Sequence, residues 1–276
     1  MSHLTRLGNP NVFATLPFDQ IDGFAGGYMH DDFIAAGTLA DTTRPGAAFT
    51  SEYPWWAAEI GTNDEAANIL VIPAEADHAG IIQLQTGAVS PADGDGISFQ
   101  FGSAIEAVQD SVLLDSNGVY IAAVLRIPDV SDQNVEFAFI GQDPAAIEPN
   151  DSGQADLVGF AFDPADANNT DDELWFSQVN LATVDTEVVS TVPYVQDDWC
   201  LLEVGVTDTS ASFRLTTEDV TETTELVQSM PAVALRPSFS TCNIGAAEEL
   251  LEIDLFHMRY LRRSNLTGNG SDWLGA

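Results

Sequence analysis

Two carboxylates, Glu252 and Asp254, stand two residues apart in the apolar stretch Leu250-Leu-Glu-Ile-Asp-Leu-Phe256. On a β-strand, residues two apart point to one face, so both acids would project together. Paired carboxyl groups are the equipment of retaining glycosidic-bond hydrolysis, which sets them about 5–5.5 Å apart as nucleophile and acid/base. Here the next position available for an acid is filled by Phe256 or His257, so the proton donor is missing. No catalytic residue is therefore expected. The other nucleophilic chemistries lack their signatures too. There is no Gly-x-Ser-x-Gly elbow, and no glycine-rich loop leads a strand into a helix to hold phosphate. His3, His30, His78 and His257 are isolated from one another, without the paired spacing that zinc requires.

Oxygen-rich loops remain. Asp93-Gly-Asp95, the segment 129–132 and the long loop ending in Asp171-Asp172 could ligate Ca²⁺ or Mg²⁺. None carries the EF-hand pattern, and in so acidic a chain close aspartates are frequent. The expectation is no cofactor, with Asp93, Asp95, Asp171 and Asp172 as candidates for a structural cation. Cys200 and Cys242 read as buried small apolar residues, a disulfide between them being the alternative.

Aromatic and arginine side chains supply candidates for binding. Trp175 and Trp199 sit inside strand patterns and are expected in the core. Trp55 and Trp56 are adjacent, so one faces away from the core, where it could stack on a sugar or meet another subunit. Trp273 lies in a Gly/Asn/Ser tail with nothing local to bury it. Arg259, Arg262 and Arg263 gather just before that tail, and Arg6 lies near the other end. Such arginines can grip carboxylates of a neighbouring subunit in bidentate fashion.

These side chains belong to a chain of 276 residues with 43 acidic and 8 basic side chains, a formal charge of -35. All eight bases are arginine; lysine is absent. So large a charge destabilises a compact state in ordinary buffer, whereas at 1 M salt the Debye length shrinks to roughly 3 Å. The balance reads as adaptation to a hypersaline medium. With 45% hydrophobic and 9% aromatic residues, the chain is nevertheless rich enough to fold. Nucleic-acid binding is excluded for want of a basic stripe. No window approaches eighteen consecutive apolar residues, so no membrane insertion is expected. The N-terminal stretch lacks a signal-peptide core, and assembly in a host cytoplasm without export is expected.

The elements that must position these residues are short strands. Period-two or fully apolar runs recur at 28–35, 55–60, 68–72, 80–85, 96–101, 119–126, 135–141, 157–162, 173–178, 188–191, 199–207, 212–217, 243–246 and 252–261. Asp/Gly/Pro/Ser/Asn turns separate them, and 104–114 suits helix or strand equally. The fold class is all-β, a two-sheet antiparallel jelly-roll sandwich with extended terminal arms. Residues 1–22 form an N-terminal arm, 23–263 the sandwich and 264–276 a C-terminal tail. In 252–261, Ile253, Leu255 and His257 are expected on one face, with Phe256, Met258 and Tyr260 on the other.

Several stretches resemble the concanavalin A-like (LamG-like) sandwich found in structural proteins of tailed viruses. They are Asp31-Asp-Phe33 as an opening strand, the strand and turn His78-Ala-Gly-Ile-Ile-Gln-Leu-Gln-Thr-Gly87, and 120–128 with 135–141 as paired central strands. Asp197-Asp-Trp-Cys-Leu-Leu-Glu-Val204 resembles a tryptophan-introduced strand with 212–215 as hairpin partner, and 251–256 a last strand returning beside the first. Glu252-Ile-Asp254 is also similar to the catalytic strand of sandwich-fold β-glucanases, though it falls late in the chain. The resemblance implies a non-enzymatic virion structural protein of a virus with a halophilic, archaeal host. It would be a capsid decoration, turret or tail-associated component, a homo-oligomer binding other virion proteins. Arg6, Trp55, Trp56, Arg259, Arg262, Arg263 and Trp273 would be its contact residues. The alternative is a carbohydrate-binding, receptor-recognition module on the virion that meets a host surface glycan; a glycoside hydrolase is the distant one.

Overall fold

The computed structural model describes residues 26–31, 48–50, 54–60, 68–72, 75, 78, 80–86, 96–101, 112–114, 118–129, 133–141, 156–164, 174–181, 184–244 and 247–261. The terminal arms 1–22 and 264–276 lie outside them. Among the described residues seventeen strands run from β1 to β17. In the first half of the chain these are β1 (Gly26–Asp31), β2 (Ala48–Thr50), β3 (Pro54–Ile60), β4 (Asn68–Ile72), β5 (Ile81–Gln85), β6 (Gly96–Phe101), β7 (Val112–Leu113), β8 (Val119–Arg126) and β9 (Gln133–Ile140). The second half adds β10 (Asp156–Phe162), β11 (Leu174–Leu181), β12 (Val184–Pro193), β13 (Cys200–Val206), β14 (Ser210–Thr216), β15 (Thr221–Val227), β16 (Ala234–Asn243) and β17 (Leu250–Leu261). No helix of the described residues is long and apolar enough to cross a membrane.

Two antiparallel sheets result. One has the order β15-β14-β13-β8-β17-β5-β4, with β1 also paired to β17; the other has β12-β11-β10-β9-β16-β6-β3-β2, with β7 paired to β16. The closing strand lies beside the first, as the resemblance implies. The strands at 120–128 and 135–141 are not partners, however. β8 pairs with β13 and β17, whereas β9 pairs with β10 and β16 in the opposite sheet.

Alternation explains the core. Val119, Ile121, Ala123 and Leu125 of β8 face Phe137, Phe139, Phe160 and Phe239 of the other sheet within one buried cluster. Trp55 stacks on Phe99 at 4.6 Å between centroids and meets Phe256 edge-on at 5.0 Å, which joins the sheets. Phe160 and Phe213 do the same at 5.6 Å. Gly159 of β10 marks a tight approach of two strands, since a Cβ there would come within 2.3 Å of Ala138 Cβ. Cys200 and Cys242 are both buried free thiols, so no disulfide joins them.

Strict alternation fails once in β17. The register with β8 slips between Ile253 and Leu255, leaving Asp254 as a bulge. Ile253 consequently joins Phe256 and Met258 in the core cluster, and Leu255 does not. The expected grouping of Ile253 with Leu255 and His257 is thereby corrected.

One lateral seam is closed by side chains. β12 and β15 are the outermost strands of their sheets. The Glu222 carboxylate accepts the Thr191 amide at 2.9 Å and the Ser190 hydroxyl at 2.6 Å, and Thr186 donates to Gln228 at 3.0 Å.

Candidate functional site

The outward face of the β8-bearing sheet carries the polar groups that the core excludes. At the Arg126 end of β8, three turns converge. The first, between β4 and β5, is pinned by two main-chain bonds joining Glu75 and His78, at 2.9 and 3.2 Å. The second, 194–199, precedes β13. Its Tyr194 hydroxyl accepts the Ile127 amide and donates to the Asp198 carbonyl, both at 2.7 Å. Burial pushes the Tyr194 phenol well above its ordinary range, so it stays a donor. Asp197 sits at φ 67°, a left-handed conformation aspartate tolerates, and its amide donates to the Ile127 carbonyl at 2.9 Å. The third turn, 217–220, closes the β14–β15 hairpin with a 2.9 Å bond from the Thr217 amide to the Val220 carbonyl.

Arg126 joins the first two turns to the sheet. Its Nε donates to Glu252 Oε2 at 2.7 Å, and Nη2 also reaches that oxygen. Nη1 and Nη2 take the two oxygens of Glu75 at 3.2 and 3.0 Å, and Asp197 Oδ1 lies 3.4 Å from Nε. Burial alone would lower its pKa, but the bonds to Glu75 and Glu252 outweigh that and raise it. The guanidinium also lies 4.6 Å from the centroid of Trp199. His78 stacks on the same indole at 4.2 Å and bonds Asp254 Oδ2 through Nδ1 at 3.0 Å. Gln83 donates to the other oxygen of Glu252 at 2.7 Å.

Beside this network opens a cleft of about 520 Å³. Val124 and Leu201 form its apolar floor, His78 and Trp199 one wall, and Asp197, Asp198, Thr216, Thr217 and Glu218 its polar rim. Its size falls within the range of small-ligand sites, about 300–1,000 Å³, and its mixture of apolar floor and few polar groups is theirs as well. Away from the cleft on the same face, Glu203 accepts the Tyr120 hydroxyl at 2.7 Å and pairs with Arg214 Nε, all three buried.

The two carboxylates first singled out are both engaged by other side chains. Arg126 and Gln83 engage Glu252, and His78 engages Asp254, so the pair docks the β4–β5 turn onto the sheet. Trp175 is in the core, 0% exposed. Trp199, expected there too, is instead half-buried at the cleft, because it precedes β13 and the strand begins only at Cys200. Trp55 is 1% exposed among Phe99, Phe101, Phe239 and Phe256, which corrects its placement among contact residues. Trp56 pairs with Gln100 in the β3–β6 ladder; its side chain lies outside the described residues. Arg259 bonds His257 through Nε at 2.9 Å and is remote from the cleft. Arg6, Arg262, Arg263 and Trp273 lie outside the described residues, as do Asp93, Asp95, Asp171 and Asp172. Among the described residues no cluster of three His, Cys, Asp or Glu could hold a metal ion.

The residues missed in the sequence are His78, Arg126 and Asp197. Arg126 carried a signal: it ends an otherwise apolar strand in a chain with only eight bases. A buried-face cation in such a background needs carboxylate partners.

No family model matches the sequence, and no curated protein matches it. Solved structures do. A protein of unknown function from Shewanella oneidensis MR-1 superimposes with a TM-score of 0.57 at 13% identity, over 93% of this chain and 96% of that one. Lectin I from Ulex europaeus, in complex with the methyl glycoside of α-L-fucose, gives 0.53 at 11% identity, over 85% and 98%. Peanut lectin, solved with a nine-residue peptide, gives 0.51 at 13% identity, over 85% and 97%. At such identities the likeness concerns the fold alone. The chain is an all-β, concanavalin A-like jelly-roll sandwich of the kind the legume lectins have.

Proposed function

We propose that this protein is a non-catalytic carbohydrate-binding module whose site is the cleft beside Trp199. The observation that carries the reading is the combination of an apolar floor, an indole wall and a hydroxyl-and-carboxylate rim on a lectin-like sandwich. Sugars present C–H patches and hydroxyl groups that donate and accept hydrogen bonds, and both find a counterpart here. A non-catalytic role is supported by the engagement of Glu252 with Arg126 and of Asp254 with His78, which leaves both acids committed to other side chains.

The virion role expected from the sequence finds nothing in the described residues to carry it. Its proposed anchors at the chain ends lie outside them, and Trp55 is core. The solved structures with a similar fold support the binding reading instead.

Titration of the full chain against a glycan array, followed by calorimetry with the best glycan, tests the proposal. Thr216→Trp, which fills the cleft from its rim, should abolish binding while leaving the circular dichroism spectrum unchanged. Unaltered glycan binding by a folded Thr216→Trp protein would move the site elsewhere.

A further inference from the structure

The chemistry of the rim goes further than sugar binding in general. Asp197, Asp198 and Glu218 stand around one cleft, the first two in the turn before β13 and the third in the β14–β15 turn. Asp198 and Glu218 are exposed at this rim. The cation beside it, Arg126, directs its donors to Glu252, Glu75 and Asp197. An anionic ligand arriving at this cleft would therefore meet three carboxylates, with the guanidinium already occupied from three directions.

The floor sets a second condition. Val124 and Leu201 offer hydrocarbon, so a small hydrated cation gains nothing from the interior of the cleft. A ligand that satisfies both conditions has an apolar ring face and a positive or donor-rich edge. We infer that the cleft selects saccharides bearing a protonated amine, hexosamines above neutral hexoses and above any uronate. The inference rests on the saccharide reading of this same cleft and specifies its ligand class.

The amine faces the rim and the C–H face of its ring lies on Leu201 and Val124. Exposed charge pairs contribute modestly, roughly two- to fivefold in affinity each. With more than one carboxylate in reach, the amine should gain about tenfold over the corresponding hydroxyl.

Calorimetry with four tetrasaccharide probes tests this, at the lowest salt that keeps the chain folded. The probes are β-1,4-linked glucosamine, its N-acetylated form, glucose with the same linkage, and galacturonate. The glucosamine oligomer should bind about tenfold more tightly than the glucose oligomer, with galacturonate weakest. The double variant Asp198→Asn/Glu218→Gln should erase that preference yet leave glucose-oligomer affinity within about twofold. Glu225→Gln removes an exposed charge further along the β14–β15 ladder, paired with Ser212, and should change neither. The inference is overturned if the N-acetylated or uronate oligomer equals glucosamine, or if Glu225→Gln lowers the preference as much as the rim variant does. Glucose binding without any amine preference would leave the saccharide reading standing and remove this one. Binding of none of the four would remove both.

Discussion

Arg126 is the residue on which the cleft's architecture can be tested most sharply, because its partners differ in burial. The Glu75 side chain is 44% exposed, that of Glu252 only 6%, and that of Arg126 itself 12%. Exposed ion pairs are worth about 0.2–1 kcal/mol, so Glu75→Gln should cost about 0.5 kcal/mol. Arg126→Gln strips a buried carboxylate of its cation, which typically costs about 3–5 kcal/mol. Gln83 retains its bond to Glu252 and places the expected loss near the lower end, about 3 kcal/mol. Losing the guanidinium over Trp199 adds about 0.5–1 kcal/mol. The double variant Arg126→Gln/Glu252→Gln removes the orphaned charge and should recover most of the loss, to within about 1.5 kcal/mol of wild type, the remainder being the lost contacts with Glu75 and Trp199. Urea denaturation followed by tryptophan fluorescence, in concentrated salt, measures all four proteins. Salt should shrink the Glu75 contribution and leave the Glu252 contribution largely intact. If Arg126→Gln were no worse than Glu75→Gln, or the double variant no better than the single, Glu252 would be solvated and the docking of the β4–β5 turn misread.

Other consequences are equally accessible. Burial pushes the Cys200 thiol up from an ordinary 9.0, so it should resist maleimide in the native protein at about pH 8 and react once unfolded. Above pH 9 the unfolded chain releases this proton while the native chain keeps it. The unfolded state then binds fewer protons, and stability present below that pH falls as pH rises, by up to about 1.4 kcal/mol per pH unit; urea midpoints across the alkaline range measure the slope. Gly159→Ala should destabilise by more than about 2 kcal/mol or prevent folding, because its methyl would collide with Ala138; expression yield and thermal midpoint decide. Dilution below roughly 1 M salt should unfold the chain if the charge balance reflects a saline habitat, and full stability in dilute buffer would refute that adaptation.

Much of the architecture was legible because alternation and turn chemistry are local. β4, β6 and β8 coincide with the sequence-predicted runs to the residue. β15 and most of β16 were not anticipated, for opposite reasons. Thr-Glu-Thr-Thr-Glu-Leu-Val of β15 is a polar edge strand with little apolar alternation to detect. β16 is central, yet it contains Pro237, opposite Phe139, and proline ordinarily argues against a central strand. The cleft was less legible still. Trp199 and Glu252 could each be noticed, but His78 and Asp254 lie 176 residues apart in the chain and meet at 3.0 Å. A single bulge at Asp254 decides which residues of β17 beyond it face the core, and nothing in a hydrophobic pattern announces one extra residue.

The bond from Glu222 to the Thr191 amide bears on how this protein stays dispersed. An outermost strand with unspent amides is a template on which a foreign strand can grow. Here a carboxylate from one sheet occupies that template in the other, and β15 exposes Thr221, Thr223 and Glu225 beside Val227 along its own length. Recruitment of a second chain by ladder extension is therefore obstructed at this flank, even where concentrated salt has silenced long-range repulsion. Protection by occupied hydrogen bonds survives the conditions under which protection by charge does not.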